Sequence, residues 1–126
     1  MNLKTTGIDH LNLAVKDLEE SVTFYRDLFG WETLKEQPEQ NSKIIGDAST
    51  KLCLYETDDM DNYSPQGFYH FGINIENFDE AIGKCEEMGI EIQYGEAVEW
   101  EKSRSIYIKD PNGYEIELTS VFGGGL

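Results

Sequence analysis

The chain has two histidines, and they stand at the same point of two similar segments: His10 in "GIDHLNLAVKDLEES" and His70 in "GFYHFGINIENFDEA". Imidazole is both an acid–base group near neutral pH and the commonest side-chain metal ligand. Around each histidine the residues alternate as in a strand, so positions two apart share a face. Leu11, Leu13 and Val15 form one apolar set, leaving Ile8, His10, Asn12 and Ala14 opposite; Phe71, Ile73 and Ile75 likewise leave His70, Gly72 and Asn74 opposite. In the terminal "YEIELTS", Ile116 and Leu118 are the apolar set and Glu115, Glu117 and Thr119 the other. In "SRSIYIKD", Ile106 and Ile108 leave Ser105, Tyr107 and Lys109 on the polar side. Two imidazoles and a carboxylate on such faces form a ligand set for a divalent cation, with coordination positions left for substrate oxygens. A single strand histidine is more often a hydrogen-bonded or half-exposed residue. The shared register of both, with a carboxylate on the same kind of face, favours the metal.

The elements that must position these groups are written twice. At an offset of sixty residues His10 falls on His70, Asp17 on Asn77, Leu18 on Phe78, Val22 on Ile82 and Leu28 on Met88, which points to an internal duplication. In each copy a strand is followed by a helical stripe. In the first, Leu18, Val22, Tyr25, Leu28 and Phe29 lie on one face, with Asp17 as N-cap and Gly30 closing the helix. The second helix is expected in "NFDEAIGKCEEMG". Strands are then expected in "WETLKE", "SKIIGD" and "TKLCLYE", and in "IEIQY", "SRSIYIKD" and "YEIELTS". Each copy therefore reads β-α-β-β-β. The "DPNG" turn makes the last two strands a hairpin, and "TDDMDNYSPQG" links the copies as a candidate mobile lip. If the two sheets curve toward one another, their polar faces line a cup suited to a small molecule.

Composition bounds the rest. A chain of 126 residues with 39% hydrophobic residues is long enough for one domain with its own core. The expectation is a single domain over residues 1–126, with module one at about 5–57 and module two at about 68–120. A net charge of -15 repels phosphate backbones and anionic membranes, so neither nucleic acid nor a membrane is an expected partner. No apolar run approaches the roughly 18 to 20 residues that cross a bilayer, and "MNLKTTGIDH" lacks the apolar stretch of a signal peptide. Cys53 and Cys85 have neither metal-motif spacing nor the density of a disulfide scaffold and read as free thiols. The expected location is the cytoplasm.

From "GIDHLNLAVKDLEESVTFYRDLFGWE" through "HFGINIENFDEAIGKCEEMGIEI" to "RSIYIKDPNGYEIELTS", the chain resembles the vicinal oxygen chelate superfamily of glyoxalases, bleomycin resistance proteins and dioxygenases. The resemblance implies an α+β fold of two tandem βαβββ modules, a curved, cup-like mixed sheet with helices on the outer face. It also implies a divalent metal chelated by two substrate oxygens, and a homodimer. By position, His10, His70 and Glu117 match the family's metal ligands. A fourth ligand, a glutamate in glyoxalase I-like members, falls nearest to Cys53; Glu56 shares the parity of Leu52 and Leu54 and reaches that place only through a bulge. Glu115, Glu56 and Glu117 itself are the candidate acid–base groups, and Asn12, Cys53, Ser105 and Tyr107 the candidate substrate contacts.

What this implies first is lyase or isomerase chemistry of the glyoxalase type on a small substrate with vicinal oxygens, through a metal-stabilised enediolate or alkoxide. The ligand set suits Zn, Ni, Co, Mn or Fe. The alternative is antibiotic resistance, by bleomycin-like sequestration or by fosfomycin modification. "KLCLYE" and "RSIYIKDPNG" resemble the fosfomycin enzymes, but Asn12 replaces a frequent threonine and the tail "LTSVFGGGL" lacks the arginine expected for a phosphonate, leaving Arg104 and Lys109 as available cations. A dioxygenase ranks third, since those members carry further histidines.

Overall fold

The computed structural model describes residues 1–126 as two compact units, Met1–Met60 and Asp61–Leu126. In the first unit β1 (Leu11–Val15) leads into α1 (Leu18–Phe29), followed by β2 (Glu32–Gln37), β3 (Ser42–Gly46) and β4 (Lys51–Glu56). The sheet order is β1-β4-β3-β2, with β1 parallel to β4 and the other pairs antiparallel. In the second unit come β5 (His70–Asn74), α2 (Ala81–Met88), β6 (Val98–Glu99), β7 (Arg104–Lys109) and β8 (Glu115–Thr119), ordered β5-β8-β7-β6 with the same parallel and antiparallel pattern. This is the expected α+β fold of two βαβββ repeats, each a four-stranded mixed sheet.

The reasons are local. Asp17 accepts a hydrogen bond from the Glu20 amide at 2.9 Å, and Gly30 ends α1 at φ 74, a left-handed conformation that glycine adopts without a Cβ clash. The helix buries Leu18, Val22 and Tyr25, and the alternating strand residues Leu13, Val15, Leu52 and Leu54 are buried with them. Tyr25 stacks on Trp31 with ring centroids 5.9 Å apart, extending this core past the helix end. In the second unit Phe71, Ile106, Ile108, Ile116 and Leu118 form the buried set, with Ala81 and Cys85 from α2. No helix is long and apolar enough to cross a membrane.

Three expectations are corrected. "IEIQY" is not a strand: after Gly89 the Ile90 amide turns back to the Cys85 carbonyl, and Tyr94 and Gly95 are both left-handed, at φ 63 and 83. Two successive left-handed residues reverse the chain, so the second strand of this unit shrinks to Val98–Glu99. "TDDMDNYSPQG" is anchored at its middle. The Tyr63 amide donates to the Asn112 carbonyl at 2.7 Å, and a Cβ on Gly113 would lie 3.0 Å from the Tyr63 nitrogen, so the "DPNG" turn needs glycine there for close approach. Finally, β4 carries no bulge against either neighbour, and Glu56 stays on the helix side. Its carboxylate accepts the Leu18 amide at 2.8 Å, capping the N-terminus of α1, where a negative charge is favourable. Glu56 is a structural carboxylate, not the acid–base group or fourth ligand that a bulge would have made it.

Candidate metal and substrate site

The second sheet gathers most of the polar groups. β5 and β8 run parallel with His70 opposite Glu115 and Gly72 opposite Glu117, so all four residues share the face away from α2. Gly72 contributes no side chain, which leaves the imidazole room to lean along β5 toward Glu117. His70 Nε2 lies 2.9 Å from Glu117 Oε1, and His70 Nδ1 lies 3.6 Å from Glu115 Oε1. The other oxygen of Glu117 accepts the Ser105 hydroxyl at 2.5 Å. Ser105 is fully buried and Tyr107 nearly so, both on β7, with Tyr107 opposite Glu117 in the ladder.

Tyr107 packs edge-on against His70, with ring centroids 5.6 Å apart. Its phenol is pushed up to about 12 by burial first, then by the negative charge of Glu117 and the hydrogen bond with it. Tyr107 therefore stays a neutral hydrogen-bond donor through the physiological range. Tyr94 donates to Glu115 Oε2 at 2.7 Å, and that bond raises its own phenol above the usual value. Trp100 donates its indole N–H to Ser105 Oγ at 3.0 Å. Neither Tyr94 nor Trp100 was singled out in the sequence. Nothing in the spacing along the chain says where those side chains go.

The first unit holds a different set. His10 precedes β1 by one residue, is exposed, and has Nδ1 2.7 Å from an Asp9 carboxylate oxygen. It lines a hollow of about 530 Å³ with Asn12, Gln37, Lys51, Cys53 and Tyr55. Cys53 is buried, and its thiol points to Gln37 Oε1 at 3.7 Å, an oxygen that also accepts the Ser42 hydroxyl at 2.8 Å. Gln37 is a polar neighbour of Cys53 that the sequence did not disclose.

No three His, Cys, Asp or Glu side chains stand as a group able to hold a metal ion. The pair His70 and Glu117 does stand together, and its donor chemistry and spacing fit such an ion. Two adjacent ligands of an octahedral ion, each at about 2.1 Å, lie about 3 Å apart, against the 2.9 Å between Nε2 and Oε1. Ser105 engages Oε2 of Glu117, and Oε1 is the oxygen that faces His70.

The chain is similar to the fosfomycin resistance protein FosX of Listeria monocytogenes serovar 1/2a, 29% identical over 120 residues that cover 90% of this chain and 88% of that protein. It is 32% identical over 115 residues to the trivalent organoarsenical cleaving enzyme of Bacillus sp. strain MD1, covering 86% of this chain and 70% of the relative. A crystal structure of a variant Listeria monocytogenes FosX, complexed with Mn(II) and 1S,2S-dihydroxypropylphosphonic acid, shares the fold with a TM-score of 0.78 at 22% identity, over 98% of both chains. The expectation of an enzyme agrees with these relatives. Residues 7–118 match the family over most of the chain, and the chain belongs to the Glyoxalase/Bleomycin resistance protein/Dioxygenase superfamily.

Proposed function

We propose that this chain is a divalent-metal-dependent enzyme acting on a small molecule with vicinal oxygens, by lyase or isomerase chemistry of the glyoxalase type. His70 and Glu117 are two of the ligands, and His10 is the third, carried over from the family resemblance. The observation that carries the reading is the 2.9 Å approach of His70 Nε2 to Glu117 Oε1 on one face of β5 and β8. A bound divalent cation supplies Lewis acidity toward substrate oxygens.

This chain's own residues do the rest. Glu117 contributes a negative donor whose second oxygen is fixed by Ser105. Tyr107, protonated up to about 12, offers a hydrogen-bond donor beside Glu117 for orienting a substrate oxygen. Glu115 keeps one oxygen for Tyr94 and the other toward His70, and is the candidate to accept a proton. Asn12 shares the hollow with His10 and supplies an amide for substrate contact. A homodimer belongs to the same proposal, on the strength of the resemblance.

Fosfomycin modification is the second reading, supported by the similarity to FosX over 88% of that protein's length. One experiment separates the two. Protein purified without added metal is assayed for metal content, reloaded with Mn(II), and incubated either with an α-hydroxycarbonyl compound or with fosfomycin, with and without a thiol. Proton exchange at the carbon beside the carbonyl, seen by NMR and stopped by chelator, supports the first reading. Opening of the epoxide alone moves the assignment to the second, and inertness toward both with no metal retained ends both.

A further inference from the structure

The segment between α2 and β7, which replaces the expected strand, runs along the edge of β7 that β6 also pairs with. The Gln93 amide donates to the Tyr107 carbonyl, and the Trp100 amide to the Ser103 carbonyl, both at 2.8 Å. Two aromatic side chains from this segment, each more than half exposed, place their only polar atoms beside the proposed ligands. Tyr94 packs edge-on against Tyr107, with ring centroids 5.4 Å apart, and the polar atoms fix where the tip of each side chain lies.

The first relay has a fixed direction. An indole N–H can only donate, and a serine hydroxyl has a single proton. Trp100 therefore fills an acceptor site on Ser105 Oγ, at 3.0 Å, and the serine proton goes to Glu117 Oε2. With Oε2 occupied, Oε1 is the oxygen left beside His70 Nε2. The second relay begins with the Tyr94 hydroxyl on Glu115 Oε2 at 2.7 Å, which turns Oε1 toward His70 Nδ1 at 3.6 Å. That gap is longer than a hydrogen bond, and Nε2 lies nearer a carboxylate, 2.9 Å from Glu117 Oε1; once a cation takes the place of the proton between Nε2 and Oε1, Glu115 is the carboxylate that faces the remaining ring proton on Nδ1. Tyr94 reaches this place from a left-handed backbone at φ 63, a conformation few non-glycine residues adopt.

We propose that Trp100 and Tyr94 are positioning residues. Trp100, through Ser105, selects Oε1 of Glu117 as the oxygen offered to a divalent cation; Tyr94, through Glu115, selects Nε2 of His70 as the nitrogen. This rests on the metal reading above and adds the device that prepares its two ligands.

The test titrates Co(II) into the wild-type protein, Trp100→Phe, Ser105→Ala and their double variant, and into Tyr94→Phe, Glu115→Ala and theirs, reading affinity and the visible ligand-field spectrum. Each single variant should bind Co(II) about 3- to 30-fold more weakly, with an altered spectrum, and the two exposed aromatic variants, Trp100→Phe and Tyr94→Phe, should do so at an unchanged melting temperature. Trp100→Phe should add nothing once Ser105 is alanine, nor Tyr94→Phe once Glu115 is alanine. An affinity and spectrum identical to wild type in either aromatic variant, or full additivity in its double, overturns that relay. If the wild-type protein binds no Co(II), the metal reading fails by itself. The relays are then judged in the metal-free protein by the ring 15N shifts of His70, which should move in both phenylalanine variants; unchanged shifts overturn the inference.

Discussion

Cys53 occupies in the first sheet the place that Glu117 occupies in the second. Each lies on the strand paired in parallel with the histidine strand, opposite the residue two beyond the histidine: Asn12 faces Cys53, and Gly72 faces Glu117. On the next strand the partners are Ile44 and Tyr107. The duplicated unit has thus kept its register while one copy carries a carboxylate network and the other a buried thiol.

Cys53 is held by Gln37 within its own sheet, and its replacement should be felt in folding. Cys53→Ala should lower stability by about 1 to 2 kcal/mol, the cost of removing a buried sulfur and its weak hydrogen bond. Urea denaturation measures this, with metal affinity measured alongside on the same preparation. Affinity should be unchanged, and a fall in it would make the thiol a ligand.

Glu56 tests the correction to the acid–base candidates. Glu56→Gln removes the negative charge at the start of α1 and should cost about 0.5 to 1 kcal/mol, less at high salt. Thermal unfolding at two ionic strengths checks this. A variant as stable as wild type but without activity would return Glu56 to the chemistry.

Tyr107 gives the metal-free protein an alkaline limit. In the folded state its proton stays on up to about 12, whereas in the unfolded chain it leaves near 10. Between those values the unfolded chain binds fewer protons, so stability falls as pH rises. The contribution is fully present below about pH 10 and is lost through about pH 12, amounting to about 2 to 3 kcal/mol. Denaturation curves at about pH 9 and pH 11.5 should show a steeper loss for wild type than for Tyr107→Phe. Equal losses would place the phenol in an ordinary environment.

The fold was legible because both period and punctuation repeat. Alternation around His10 and His70, the Asp17 cap and the Gly30 and Gly89 stops all act locally, and each does in the structure what its chemistry requires. The shared face of His70, Glu115 and Glu117 followed from strand parity in the same way. What escaped is what depends on a turn. Ile90 and Ile92 alternate like a strand, yet the left-handed pair Tyr94 and Gly95 ends the run. Tyr94 and Trp100 then reach their partners across the sheet face, which no spacing along the chain encodes. Glu56 went the other way: its parity placed it correctly, and the helix terminus supplied its partner.

The most direct test of the metal assignment is calorimetric titration of Mn(II) into metal-free wild-type protein and Glu117→Gln. Glutamine keeps the size and the hydrogen-bonding oxygen of the residue but removes the anionic donor 2.9 Å from His70. The account predicts one ion per chain in the wild type and a loss of affinity of at least about a hundredfold in the variant, more than an outer-sphere substitution produces. Equal affinities, or no binding by the wild-type protein, would contradict it.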